Sequence, residues 1–233
     1  MSDLEGKFYK YMRFDDSVLS ERYAYYLPFF KDKQNILDIG CGKGHFLELL
    51  KKHGKKVRGV DNDAELIKYA RDKGIPAVKS DAFDFLKKEK AGYDGIFCSH
   101  VIEHLSTDDV IKLFRYCYRL LEPEGVIVVA APNPACLHTQ LYEFWRDPTH
   151  VRMYNKELIA FLLSNAGFQG TDSVENEFHR IYRCVDFRNK NKTLFKKALR
   201  RLRGVINKEN RFTDIIMEQF NFPEIFASGQ KVK

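Results

Sequence analysis

A strand that runs directly into a glycine-rich turn and then a helix is the feature that most constrains this chain. Residues 35–39 form a β-rich run, and the segment Asp38-Ile39-Gly40-Cys41-Gly42-Lys43-Gly44 then places glycine at alternate positions. Apolar residues over 46–50 provide one face of a following helix. Glycine permits a tight turn and lets a ligand lie against the bare backbone. The segment therefore predicts a ligand-binding strand–turn–helix unit of an α/β protein.

The spacing of the glycines argues against a nicotinamide dinucleotide as the ligand. A Gly-x-Gly-x-x-Gly pattern needs a third glycine at position 45, where this chain has His45, and Gly44 comes one residue earlier. Asp38, two residues before the first glycine, has little use beside a pyrophosphate. It suits a ligand that carries a positive ammonium group.

Strand-like and helix-like segments alternate from residue 35 onward. Strands are predicted over 35–39, 56–60, 77–78, 93–98 and 126–131, and helices over 63–73, 107–121 and 155–166. Such alternation favours a parallel sheet with right-handed crossovers and helices on both faces. Two β-like segments over 171–187 have no helix between them, which predicts an antiparallel hairpin at the sheet edge.

Polar side chains follow four successive predicted strands. Asp61 ends the second strand, where an acidic side chain can accept both hydroxyls of a ribose. Ser80-Asp81-Ala82-Phe83 follows the third strand and offers a carboxylate and apolar groups to an adenine ring. Ser99-His100-Val101-Ile102-Glu103-His104-Leu105 ends the fourth. A tight turn and helix caps would explain each segment singly, but not their coincidence with the strand order.

Together these segments resemble the class I S-adenosylmethionine-dependent methyltransferases over about residues 1–187. Residues 38–44 match the first motif of that family, Asp61 its ribose-binding acid, residues 80–82 its adenine-side segment, and residues 120–125 its turn before the fifth strand. The resemblance implies an α/β fold, a doubly wound, seven-stranded Rossmann-like sheet with an antiparallel edge hairpin. It also implies S-adenosyl-L-methionine as cofactor and S-adenosyl-L-homocysteine as product.

The resemblance also implies a set of cofactor-binding positions in the N-terminal region and at the strand ends. They are Asp38, Gly40, Cys41, Gly42, Gly44, Asp61, Asn62, Asp81, Ala82, Ser99, His100 and Arg13.

Three shorter segments bear on the methyl acceptor. Residues 100–105 are similar to a segment of the subgroup that modifies quinones and other small molecules. Residues 11–14 and 147–152 resemble methyltransferases encoded with bacterial and archaeal surface-polysaccharide enzymes. We therefore expect a hydroxyl of a sugar or of a lipid-linked or surface glycan as the acceptor. A quinone or another small metabolite is the alternative.

Residues 132–153 are too long for a simple strand-to-helix loop and are rich in aromatic and polar side chains, which indicates a substrate lid. His150 is the preferred general base for a hydroxyl acceptor, with Asp147 orienting it. The alternative is that Asp147 caps a turn and His150 is a packing residue. His104 is the second candidate base, with Glu103 fixing its tautomer. These four side chains could also hold a divalent ion, but their spacing matches no recognised metal signature, so no metal is predicted.

The positive charge of the chain lies in its last quarter. The whole chain of 233 residues has a net charge of +7, and residues 180–233 hold 14 Lys/Arg and 5 Asp/Glu. Residues 192–206 combine apolar residues at helical spacing with cations at 196, 197, 200, 201 and 203, which fits a helix lying on an anionic membrane surface. A helix docked on its own domain is the alternative. Tail charge alone would support a noncatalytic nucleic-acid-binding module, but such a module leaves the cofactor motifs unused. Nucleic acid is therefore not an expected partner.

Three regions follow from these patterns: an N-terminal helical cap over 1–34, a methyltransferase domain over 35–187 with the lid at 132–153, and a basic helical extension over 188–233. An apolar set over 212–220 is compatible with closure over the substrate face or with an oligomer contact. The five cysteines show no CxxC pair, the N-terminus has no apolar export segment, and no apolar run approaches the roughly 20 residues of a membrane span. We expect a cytoplasmic protein, peripheral to the membrane if the tail binds lipid.

Overall fold

A computed structural model describes residues 22–175 and 224–232 of the chain. Seven strands lie in one sheet, and their bounds are β1 (Asn35–Ile39), β2 (Lys56–Asp61), β3 (Ala77–Lys79), β4 (Tyr93–Ser99), β5 (Leu121–Pro132), β6 (Gln169–Glu175) and β7 (Glu224–Gln230). The spatial order is β3-β2-β1-β4-β5-β7-β6. The first five strands pair in parallel, and β7 pairs antiparallel with both β5 and β6. The predicted α/β fold with an antiparallel sheet edge is confirmed.

Six α-helices lie among the described residues, and all but α3 and α5 are at positions close to predicted helices. They are α1 (His45–Lys52), α2 (Ala64–Asp72), α3 (Ala82–Lys88), α4 (Thr107–Leu120), α5 (Phe144–Arg146) and α6 (Lys156–Asn165). Side chains cap the N-termini of several of them: Asp63 accepts from two backbone N–H groups of α2, and Asn155 accepts from Leu158 of α6. Two 3₁₀ turns lie at Leu27–Phe30 and Ile102–His104, and a π-helical turn at Thr139–Glu143 runs into α5.

The register of the parallel strands places the polar segments at one edge. Ile39 of β1 pairs with Val60 of β2 and with Cys98 of β4. Gly40, Asp61 and the end of β4 therefore emerge side by side. Since β2 lies on one side of β1 and β4 on the other, the chain reverses its direction across the sheet here, at the kind of switch point where open α/β sheets bind ligands.

The strand that pairs antiparallel with β6 is not the one that was predicted. The strand that pairs with β6 is β7 at 224–230, within the range predicted as a basic helical extension. For these residues the predicted boundary at 188 is wrong, because β7 lies inside the sheet between β5 and β6. The second β-like segment expected before residue 187 lies outside the described residues. So do the apolar and basic tail positions from 188 to 223.

The sheet has an apolar core on each face, as alternating side chains in its strands require. Ile96 and Ile127 face a core with α3, α4 and α6. Phe97 and Val128 face the opposite core with α1, α2 and the segment 22–30. In that second core the ring centroids of Phe46 and Phe97 lie 4.2 Å apart. The described part of the N-terminal cap therefore packs directly on the sheet. Across the described residues, no helix is long and apolar enough to span a membrane.

Candidate active site

The turn after β1 bends back over the end of β2. The N–H groups of Gly40 and Cys41 both donate to the carbonyl of Val60, at 2.9 and 3.1 Å. Gly40 has φ of +74°, and a Cβ at this position would lie 2.4 Å from Cγ2 of Val101. Gly42 has φ of +51°, and a Cβ there would meet nothing within 4 Å. The loop therefore needs glycine for its conformation, and its backbone at residue 42 is open to a ligand.

Asp61 ties this loop to the end of β2. Its Oδ2 accepts from the N–H of Gly42 at 2.8 Å, and its Oδ1 accepts from the N–H of Asp63 at 2.9 Å. Burial raises the pKa of Asp61, and these backbone donors oppose the increase. Each carboxylate oxygen retains a second acceptor position. The side chain can therefore hold the loop and still accept a ligand hydroxyl.

Asp38 is the second-last residue of β1 and is only 3% exposed. Burial, followed by the negative charge of Asp61, raises the pKa of Asp38 well above its usual range. A buried carboxylate with another carboxylate nearby is costly unless a cation joins it. This environment suits a ligand with an ammonium group.

Asp81 is a helix cap in the structure, in agreement with the alternative explanation of its position. Its Oδ1 accepts from the N–H groups of Phe83 and Asp84, at 2.8 and 3.2 Å. The side chain is exposed, so Oδ2 can still accept from an adenine amino group. Ala82 beside it is half-buried, and Ser99 at the end of β4 has a buried hydroxyl without a hydrogen-bond partner among the described residues.

The remaining predicted cofactor positions have different surroundings. Gly44 precedes α1 with φ of +75°, and Asn62 is exposed after β2. Cys41 points into the core, where a Cβ on Gly59 would lie 2.6 Å from its Sγ, and burial raises the pKa of its thiol. Arg13 lies outside the described residues.

His100 joins the end of β4 to the N-terminal segment and to β7. It has an unusual φ of +55°, and its Nε2 lies 2.6 Å from Oε2 of Glu224. Arg22 contacts both His100 and Glu224, and the hydroxyl of Tyr26 donates to Oε1 of Glu224 at 2.5 Å. Burial, followed by the charge of Arg22, holds the pKa of His100 well below its usual range.

The sequence analysis missed Glu224, which is only 1% exposed. The signal that could have revealed it is a carboxylate at the start of an apolar run, Glu224-Ile225-Phe226-Ala227, inside an otherwise basic tail.

His104 is oriented by a chain of hydrogen bonds from the lid. The hydroxyl of Thr149 donates to Oδ1 of Asp147 at 2.6 Å. Because that hydroxyl has one proton, it accepts from Nδ1–H of His104 across 2.8 Å. Burial lowers the pKa of His104, which keeps the ring neutral. Its Nε2 is therefore unprotonated, and it is buried without a hydrogen-bond partner among the described residues.

His150 lies against His104 with the two ring centroids 4.8 Å apart. Its Nδ1 donates to the carbonyl of Phe144 at 2.6 Å, which fixes the orientation of the ring and leaves Nε2 as its second nitrogen. Glu103 is fully buried beside them. Burial raises the pKa of Glu103, and the nearby His104 opposes the increase. One ligand atom from each of Glu103, His104 and His150 lies within 4.8 Å of the others.

The comparison with known families agrees with this geometry. A family of proteins described as methyltransferase domains matches residues 11–173. The chain belongs to this methyltransferase family. Members of the family use S-adenosylmethionine, and in this methyltransferase the glycine loop and the acids at the ends of β1, β2 and β3 lie at the sheet edge where such a cofactor would bind.

Several known proteins are similar to this methyltransferase. A probable S-adenosylmethionine-dependent methyltransferase of Mycolicibacterium smegmatis is 29% identical over 60% of this chain and 54% of its own length. A ubiquinone biosynthesis O-methyltransferase of Xylella fastidiosa is 34% identical over 42% of each chain. The methyltransferase thus spans about half or less of these two relatives. A crystal structure of an Archaeoglobus fulgidus SAM-dependent methyltransferase is 28% identical with a TM-score of 0.76, covering 98% of this chain and 100% of that one.

The structure brings together the three predicted catalytic residues of the methyltransferase, but in different roles. Asp147 does not orient His150, because its Oδ2 lies 4.0 Å from Nε2 of that ring, and Asp147 acts on His104 through Thr149. The tautomer of His104 is fixed by Thr149 and not by Glu103. Thr149 is the residue of this chain of contacts that the sequence analysis missed.

Proposed function

We propose that this methyltransferase transfers the methyl group of S-adenosylmethionine to a hydroxyl oxygen. The observation that carries the proposal is the pair of imidazoles that hydrogen bonds at Nδ1 orient beside a buried carboxylate at the end of β4. In the reaction the acceptor oxygen bonds to the methyl carbon as the carbon–sulfur bond breaks, which gives a methyl ether and S-adenosylhomocysteine. The hydroxyl proton leaves at the cluster of Glu103, His104 and His150. An amine or thiolate acceptor would not need such a cluster.

We infer that the cofactor lies along the ends of β1 to β3. Asp38 would pair with its ammonium group, since that cation removes the cost of the buried carboxylate. Asp61 would accept from the ribose hydroxyls while it holds Gly42, and Oδ2 of Asp81 would accept from the adenine amino group. The positions of the glycine loop and these acids at one edge support this arrangement.

For the acceptor we propose a hydroxyl of a sugar or of a lipid-linked glycan, on the resemblance of residues 11–14 and 147–152. The lid presents flat apolar side chains to an acceptor, with Trp145 71% and Tyr142 55% exposed. A phenolic hydroxyl of a quinol is the second candidate, supported by the relatives named as ubiquinone biosynthesis O-methyltransferases. An aromatic lid accommodates either ring.

The test is methyl transfer from radiolabelled S-adenosylmethionine to two sets of acceptors, sugars with lipid-linked glycans and catechol-type phenols. We expect labelled ether in one set, and we expect His104→Ala to lower turnover roughly 10²–10⁴-fold with nearly unchanged cofactor affinity. His138→Ala is a matched control, because His138 belongs to the lid but faces Glu143 and Tyr142 outside the cluster. Labelling of amines alone, or full activity of His104→Ala, would refute the proposal.

A further inference from the structure

The geometry assigns a binding site for a divalent transition-metal ion to Glu103, His104 and His150. The inference deepens the proposed function. It rests on that function only for the role of the ion, which is to bind the acceptor hydroxyl. Metal binding itself depends only on the three side chains and their surroundings. The spacing of these residues in the sequence did not predict the site, because His150 comes from the lid and the other two from the turn after β4.

The two imidazoles are prepared as ligands. Nδ1–H of His104 is taken up by Thr149, and Nδ1–H of His150 by the carbonyl of Phe144. Metal-binding histidines characteristically donate their second N–H to such an oxygen, which fixes the tautomer and aims the other nitrogen at the ion. Asp147 completes this outer layer by accepting from the Thr149 hydroxyl. Each ring is therefore held in one orientation, and one ligand atom of each lies within 4.8 Å of the other and of a carboxylate oxygen of Glu103.

Glu103 supplies the third ligand and the strongest argument for an ion. Its side chain is fully buried, and neither carboxylate oxygen makes a hydrogen bond within the described structure, although Oε1 lies 2.9 Å from Nδ1 of His100. Nε2 of His104 is also buried and also has no hydrogen-bond partner among the described residues. Buried polar groups of this kind normally have partners. A single cation between them would satisfy the carboxylate and the lone pair together.

The separation of the ligand atoms is suitable for one ion. They lie within 4.8 Å of one another, and metal–ligand distances of about 2.0–2.2 Å for nitrogen and oxygen in a tetrahedral site require atoms at that limit to approach by roughly 1.4 Å. The backbone already holds the two segments together, since Val151 N–H donates to the carbonyl of Glu103 at 2.8 Å. Small side-chain rotations would therefore complete the site without movement of the lid.

The donor set indicates the class of metal. Two imidazoles and one carboxylate favour Zn²⁺, Co²⁺ or Mn²⁺ over Mg²⁺ or Ca²⁺, which prefer oxygen ligands alone. Three protein ligands leave a coordination position open, as in catalytic zinc sites. An acceptor hydroxyl bound there would have a lowered pKa, and because the ion then occupies the lone pairs of the imidazoles, its proton would pass from the cluster to solvent before the oxygen attacks the methyl group.

The experiment titrates the full-length chain with Co²⁺ and Zn²⁺ after treatment with a chelator, using the visible absorption of bound Co²⁺ and calorimetry for Zn²⁺. We expect one ion per chain. Glu103→Gln and His150→Ala each remove a proposed ligand and should weaken metal binding at least 100-fold. Thr149→Val removes only the group that orients His104 and should weaken binding roughly 10–100-fold. His138→Ala is the control and should bind like the wild type. Circular dichroism of each variant checks that it is folded, and Thr149→Val retains every proposed ligand.

The outcomes separate the site from the activity. Absence of a Co²⁺ spectrum in the wild type, or equal binding by His138→Ala and Glu103→Gln, would overturn the metal site. Methyl transfer to a hydroxyl that continues unchanged without bound metal would overturn the use of the ion in the reaction, while the binding site and the proposed function would stand. If the protein binds one metal ion per chain but methylates only amines, the metal site would be established and the proposed function would be refuted.

Discussion

Asp38 shows how a single residue can be costly for the fold and useful for the ligand. Burial and the neighbouring Asp61 raise its pKa, so the folded state binds a proton more tightly than the unfolded chain. The free energy of unfolding of the ligand-free protein should therefore decrease as pH rises from about 4 through the raised pKa, because the stabilising proton is lost over that interval.

Asp38→Asn removes this carboxyl and leaves a neutral side chain of similar size. We expect the ligand-free variant to melt at a higher temperature than the wild type at about pH 8, with the difference shrinking toward about pH 5. The same variant should bind S-adenosylhomocysteine more weakly, because the ammonium group of the ligand loses the carboxylate with which it would pair. Thermal unfolding at the two pH values tests this, and a variant that melts lower than the wild type at pH 8 would contradict it.

The positions of the glycine loop and of Asp61 at one edge of the sheet were predictable because their signal is local. A glycine loop after a strand and an acid at the end of the next strand are determined by a few neighbouring positions. The roles of Asp147 and His150 were not predictable in this way. An i,i+3 spacing suggested that their side chains meet, but residues 147–150 form a turn in which the N–H of Thr149 donates to Oδ1 of Asp147 at 2.8 Å. That turn directs the carboxylate toward Thr149 and His104.

At the scale of elements, β7 connects the end of the chain to the site through Glu224. This carboxylate is shared by Arg22, His100 and Tyr26. Glu224→Gln should lower the free energy of unfolding by about 3 kcal/mol, because it leaves the guanidinium of Arg22, whose side chain is only 13% exposed, without its counter-charge.

Tyr26→Phe is the matched comparison, since it removes one neutral hydroxyl from the same carboxylate and should cost only about 1 kcal/mol. Urea unfolding of both variants measures the two losses. Equal losses would show that the charge of Glu224 contributes nothing beyond its hydrogen bonds.

The same strand marks the limit of prediction for the fold. The alternation of strands and helices predicted the five parallel strands and α1, α2, α4 and α6, because each is a local pattern, whereas α3 and α5 were not predicted. β7 joins the sheet 48 residues after β6 ends and pairs antiparallel between β5 and β6. Its apolar residues lie in a segment whose charge suggested a surface helix. Pairing with distant strands outweighed composition, and nothing in the local pattern indicates that pairing.

For the whole molecule, the position of β7 changes how membrane attachment through residues 192–206 should be tested. Truncation before the tail would remove a sheet strand, so the tail cations should be replaced by Gln instead. These are Lys196, Lys197, Arg200, Arg201 and Arg203. We expect the intact chain to float with anionic vesicles at low salt and the variant to remain in solution, since each cation contributes about 1 kcal/mol near such a surface.

The control replaces an equal number of exposed lysines on the body of the protein. These are Lys51, Lys52, Lys68, Lys87 and Lys88. This variant should float like the wild type, and flotation of both should weaken at high salt. Identical behaviour of the two variants would show that net charge, and not the tail, determines binding to the vesicles.

The most direct test of the account is calorimetric titration of the full-length chain with S-adenosylhomocysteine. We predict one ligand bound per chain, and a loss of about 1–3 kcal/mol of binding free energy in Asp61→Ala. Asp94→Ala is the control, because Asp94 accepts from the N–H groups of Gln34 and Asn35 at the opposite end of β1 and should not affect binding. Binding of NADH without S-adenosylhomocysteine, or equal affinities of the two variants, would contradict the placement of the cofactor at the carboxyl ends of these strands.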